Sequence, residues 1–146
     1  MPAKYKLVLR KDMRKDAAKG SKLYYASANT TGTCDVYELC DLISAQSTAS
    51  SGDVKLILDE LVNVMRRNLG KGEVVKVGEL GSFQLQFGST GTVTEKEFNQ
   101  VLIKSRRIVF RPGKLLKEAV KNYTFEKIAS GAPDEGGGED DRPGEL

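Results

Sequence analysis

Histidine is absent from this sequence. The imidazole is the commonest acid–base group near neutral pH, so proton-transfer catalysis loses its most usual carrier. Cysteine occurs only at Cys34 and Cys40. Two thiols without histidine fall short of the four N or S donors of common structural zinc sites, so neither a metal nor another cofactor is expected. Cys40 shares a helical face with Val36, Leu39 and Ile43 and reads as a small buried apolar residue. No apolar run approaches the ~18–20 residues of a membrane-spanning helix. The opening "MPAKYKLVLRKD" lacks the apolar core of a secretory signal, which leaves a cytoplasmic location as the expectation. Asp59 and Glu60 are neighbours on a helix and do not face each other, so they form no carboxylate dyad. "GKGEVVKVGELGSF" lacks the Gly-x-x-x-x-Gly-Lys-Ser/Thr of a nucleotide loop. Neither an enzyme nor a small-molecule substrate is expected.

What is present is charge, unevenly spread. The formal net charge of +3 hides an acidic end. From Gly131 to Leu146 there are six acids and one base, and the preceding residues carry 22 bases against 14 acids. A basic body beside an acidic tail points to a polyanionic partner. The tail, "GAPDEGGGEDDRPGEL", is Gly-rich and poor in apolar residues, and it is expected to be disordered. It either solubilises the chain or folds over the basic body and competes with the partner.

Hydrophobic periodicity divides the remainder. "KYKLVLRK" and "KLYYASANT" follow the two-residue period of strands, with "DMRKDAAKGS" as the loop of a long hairpin. The period then lengthens. Asp35 and Glu38 open one helix, and Ser50 with Asp53 forms a capping box for a longer one over about residues 51–69. That helix is apolar on more than one side, which predicts burial on more than one side and hence dimerisation through it. Gly70 and Gly72 end it. "EVVKVGELGSFQLQF" reads as two strands around a Gly-Glu-Leu-Gly turn, with Phe83, Leu85 and Phe87 on a packed face. A long polar segment follows. "RRIVFR" is a strand with Ile108 and Phe110 on one face, and Pro112 stops it. "GKLLKEAVKN" is a short helix with Leu115, Leu116, Ala119 and Val120 inward, and "YTFEKI" is a last strand that pairs with the N-terminal hairpin. The expected division is a hairpin extension over 1–32, a central domain over 33–130 and the tail over 131–146.

The segments "GDVKLILDEL", "KGEVVKVGELGSFQL" and "IVFRPGKLLKEAV" resemble the HU/IHF family of bacterial histone-like DNA-binding proteins. Gly78, Gly81 and Phe83 match that family's Gly-x-x-Gly-x-Phe turn, and Phe110, Gly113 and Lys114 match its Phe-x-x-Gly-Lys corner. The likeness spans roughly residues 35–122. The N-terminal hairpin, the "AQSTASSGDVK" turn and the Gly-rich tail resemble a divergent HU-like branch. The resemblance implies an α+β fold, an intertwined homodimer with a helical body, a curved antiparallel sheet with an extended β-arm, and a double-stranded DNA partner in the nucleoid. It also marks a departure. The family's arm is strongly basic with a proline at its tip, whereas this chain has no proline between Pro2 and Pro112, and Lys96 stands between Glu95 and Glu97. Phe98 either replaces the proline as a wedge between base pairs or packs back on the sheet.

The candidate DNA-binding residues are Lys104, Arg106, Arg107 and Arg111 on one strand, and Lys114 and Lys117 on the helix after it. In a regular strand Arg107 and Arg111 face one way and Lys104 and Arg106 the other, so no single face holds all four. Lys114 stands at a helix start, where free N–H groups favour anions. The resemblance puts Arg111, Lys114 and Lys117 at positions that commonly face phosphates. No base-reading helix is expected, which implies low sequence specificity. Two other readings stay open: an ordinary solvated basic edge, and an HU-like protein-interaction or scaffold module with little DNA binding.

Overall fold

The computed structural model describes residues 1–129; the expected tail disorder lies outside them. These residues form two compact units, one of 1–31 with 124–129 and the other of Gly32–Tyr123. No helix among them is long and apolar enough to cross a membrane.

The hairpin unit is a three-stranded sheet in the order β2-β1-β6. Strands β1 (Ala3–Lys11) and β2 (Lys22–Asn29) pair antiparallel from Lys4 opposite Asn29 to Lys11 opposite Lys22. Strand β6 (Phe125–Lys127) joins β1 in parallel, and Lys4 forms an ion pair with Glu126. The β1–β2 loop is pinned by Asp12, whose side chain is buried. Its carboxylate accepts from the Arg14 guanidinium at 2.6 Å and from the Arg14 backbone N–H at 3.0 Å. These bonds, the guanidinium's foremost, hold the Asp12 carboxyl below the ordinary carboxylate range.

In the central unit, α1 (Val36–Ala45) starts where Asp35 Oδ1 accepts from the Glu38 N–H at 2.9 Å. Helix α2 (Ser51–Gly70) starts on a complete capping box. Asp53 N–H donates to Ser50 Oγ at 3.1 Å and Ser50 N–H to Asp53 Oδ2 at 3.2 Å. The helix runs through Gly70, and Gly72, at φ 84°, turns the chain after it. A second antiparallel sheet follows in the order β3-β4-β5, from β3 (Val75–Val77), β4 (Gly81–Ser89) and β5 (Ile103–Pro112). A 3₁₀ turn over Gly78–Leu80 joins β3 to β4, and α3 (Lys114–Asn122) closes the unit.

The core of the single chain is small. Cys40, Val54 and Leu69 are its buried apolar residues among those described. Helix α2 lays Val54, Leu58, Leu61, Met65 and Leu69 along one stripe that is buried or half-buried. Its other apolar residues stand in the open: Leu56 is 61% exposed, Ile57 62% and Val62 56%. The expectation that Leu115, Leu116 and Val120 point inward fails in the single chain, where all three are exposed and Ala119 alone is half-buried. The hydrophobic pattern marks an apolar face without saying which chain covers it.

Candidate nucleic-acid interface

The β4–β5 ladder sorts side chains by alternation, and one irregularity decides where the charges fall. From the corner outward, Ser82 opposes Arg111, Gln84 opposes Val109 and Gln86 opposes Arg107. Phe83 opposes Phe110 and Leu85 opposes Ile108 on the other face, where the two phenyl rings lie 4.9 Å apart between centroids. Beyond Gln86 the register shifts, because Gly88 opposes Lys104. Phe87 therefore faces two residues, Ser105 and Arg106, which is a β-bulge. Ser105 takes the strain at φ 55°, a left-handed conformation rare outside glycine.

The bulge corrects the parity argument from a regular strand. The extra residue restores Lys104 to the face of Arg107 and Arg111 and separates it from Arg106. Lys104, Arg107 and Arg111 thus share a mainly polar face with Ser82, Gln84, Gln86 and the half-buried Val109, and Arg107 Nη2 donates to Gln86 Oε1 at 3.3 Å. Arg106 instead borders a hollow with Leu85, Phe87, Val101, Ile103 and Gln100. The bulge is what sequence reasoning missed. Alternation in "SFQLQF" already puts Gln84 and Gln86 on the wet face, whereas nothing local to Ser105 announces a bulge.

Next to this face the strand turns into α3 through a corner held by two glycines. A Cβ on Gly81, which sits at φ 140°, would overlap the carbonyl oxygen of Arg111. A Cβ on Gly113 would overlap the carbonyl of Glu79. The Gly113 N–H donates to the Leu80 carbonyl at 3.0 Å, closing the contact between the 78–80 turn and the corner. Gly113 is also the N-cap of α3 and offers no side-chain cap, so the first N–H groups of the helix stay open beside Lys114. Lys114 and Lys117 are both exposed, and Lys114 Nζ lies 4.0 Å from Glu118.

The arm between β4 and β5 is closed at its base by the Thr90 N–H donating to the Leu102 carbonyl at 3.0 Å. Two 3₁₀ turns, Glu95–Glu97 and Gln100–Leu102, fill it. Phe98 between them is 42% exposed.

Two helices under a β-sheet, a glycine-locked turn and a basic strand-to-helix corner together define the HU/IHF class of histone-like fold. The chain belongs to the family described as an HU domain fused to a winged-helix (wHTH), Ig or glycine-rich motif, whose profile matches residues 1–127. It is 36% identical over 86 residues to the DNA-binding protein HU of Thermotoga maritima, covering 58% of this chain and 96% of that protein. It is 33% identical over 92 residues to the integration host factor subunit alpha of Vibrio cholerae, covering 62% of this chain and 94% of the subunit. A solved structure of a Bacteroides vulgatus protein superposes with a TM-score of 0.59 at 21% identity, which shows the fold. That match covers 86% of this chain, which spans 48% of the other.

Proposed function

We propose that this chain is a histone-like protein of the bacterial nucleoid that grips double-stranded DNA through the polar face of the β4–β5 ladder and the start of α3. One observation carries the reading: the bulge at Ser105 gathers Lys104, Arg107 and Arg111 onto one face with two glutamines. Guanidinium and ammonium groups on one face neutralise successive phosphates, and the glutamines supply neutral donors and acceptors beside them. Lys114 and Lys117 add charge where open helix N–H groups favour an anion. Arg106 is the weakest of the six candidates, because it lies on the apolar side. The contacts are to backbone phosphates, so affinity depends strongly on salt and weakly on sequence.

The working unit is a homodimer. Leu56, Ile57 and Val62 are uncovered on α2. An apolar hollow of about 390 Å³, lined by Val62, Met65, Leu69, Leu85 and Ile108, opens between α2 and the sheet. Uncovered apolar surface of this kind marks an association site, and a second copy supplies matching apolar side chains. Burying each large side chain contributes about 1.5–3 kcal/mol.

Gel-shift titration on duplex DNA at low and moderate salt, with sedimentation to count chains, tests the reading. A salt-sensitive shift by a two-chain species is expected. Absence of a shift at low salt overturns it, and a protein captured by pull-down would then favour a scaffold role.

A further inference from the structure

The hairpin unit carries a second surface of a different kind. Strand parity puts Tyr5, Leu7, Leu9 and Lys11 of β1 on one face of its sheet. On β2, Tyr24 opposes Leu9, Ala26 opposes Leu7, and Ala28 opposes Tyr5. On β6, Phe125 opposes Ala3, and Lys127 opposes Tyr5. Aromatic rings therefore alternate with alanines that rise little above the sheet, which leaves Tyr24 and Phe125 open while Tyr5 is half-buried. Tyr24 is 71% exposed and Phe125 67%, so neither ring serves a core.

Among the described residues, the charges on this face have no ion-pair partner of opposite sign. Lys11 and Lys22 are directly opposed at one end. Like charges in that position destabilise a hairpin unless an anion lies between them. Lys127 stands towards the other end. Residues 1–31 as a whole hold eight Lys and Arg against two Asp. An apolar protein partner would cover the leucines but leave these lysines uncompensated. A ligand with flat rings and a regularly spaced negative backbone satisfies both features at once.

We propose that this face binds single-stranded nucleic acid, with bases stacking on Tyr24, Tyr5 and Phe125 and phosphates meeting Lys11, Lys22 and Lys127. The site is independent of the duplex-binding face and does not rest on that reading.

The test uses the full chain and fluorescence anisotropy with labelled oligothymidine and oligouridine of about twelve nucleotides, within the usual range of site sizes. A labelled duplex is titrated in parallel. Tyr24→Ala and Phe125→Ala are each expected to weaken both single strands by about tenfold. Tyr24→Phe keeps the affinity and the duplex titration does not move. The tighter of the two single strands names the natural polymer as DNA or RNA. Single-strand affinity equal in parent and alanine variants overturns the proposal. So does a variant that changes only the sedimentation of the chain, which would make this face a contact between copies. If an alanine variant loses its circular dichroism, Tyr24→Leu and Phe125→Leu keep apolar bulk without the ring, and the same tenfold loss is required of them. A parent chain that binds single strands but no duplex would sink the duplex reading and leave this one standing.

Discussion

In the central sheet Lys104, Arg107 and Arg111 share a face with glutamines, and Phe83, Leu85, Ile108 and Phe110 share the other. In the hairpin sheet Lys6 and Arg10 lie on one face while Lys11, Lys22 and Lys127 lie among aromatic rings on the opposite one. Both sheets have three strands and the same two-residue period. The difference is that the central sheet sorts its bases with one inserted residue and fixes the sorted face to a glycine-locked corner. A face dominated by polar and basic groups, with Val109 its apolar member, suits a stiff duplex backbone. A face that mixes rings with bases suits a strand whose bases are free to stack.

The corner is where this contrast is easiest to break. Gly113→Ala drives a Cβ into the Glu79 carbonyl, and Gly81→Ala adds a left-handed backbone to a similar clash. Each is expected to cost about 3 kcal/mol or more, read by chemical denaturation. Gly20→Ala in the hairpin loop is the control. It has φ 84° but open space around it, and a cost of only about 1–2 kcal/mol is expected.

Inserting one residue between Phe87 and Gly88 sharpens the comparison next. Phe87 then faces Arg106 alone and the new residue faces Ser105, so the strands pair regularly, Lys104 falls on the apolar side with Arg106 and the central sheet sorts its charges no better than the hairpin sheet. Duplex affinity is expected to fall by about tenfold at low salt, with the salt slope reduced by about 0.9 for the lost contact. Circular dichroism of the variant is expected to match that of the parent. Single substitutions give the smaller version: Arg107→Ala weakens duplex binding, and Arg106→Ala leaves it within about twofold.

Much of this was legible in the sequence. Alternation in "KYKLVLRK" and "SFQLQF", the Ser50–Asp53 cap and the glycines at 78, 81 and 113 each carry their structure locally, because caps, turns and strand parity are set by neighbours in the chain. Two things were not legible. The bulge is a property of two paired strands, and "KSRR" reads the same whether or not Phe87 faces one residue or two. The outward placement of Leu115, Leu116 and Val120 depends on a surface that the single chain does not supply.

The smallest expected effect concerns the hairpin loop. The Asp12 carboxyl is held below its usual range chiefly by Arg14. A folded-state value below the unfolded one means that the bond supports the loop above the ordinary carboxylate pKa of about 4 and that this support fades as pH falls below it. Protection of the Arg14 and Ser21 amides, relative to intrinsic exchange at each pH, is expected to hold from neutral pH to about 5 and to fall below about 4, while that of the central sheet is unchanged. Asp12→Asn removes the pH dependence.

The most direct test of the central claim is the salt dependence of duplex affinity for the parent chain and for a Lys104→Ala, Arg107→Ala, Arg111→Ala variant. If these three side chains meet phosphates from one face, the slope of log K against log salt becomes shallower by about 2.7 for each copy on the duplex, 0.9 per contact. A variant with the parent's slope would contradict the account, since the sorted face would then not be what holds the DNA.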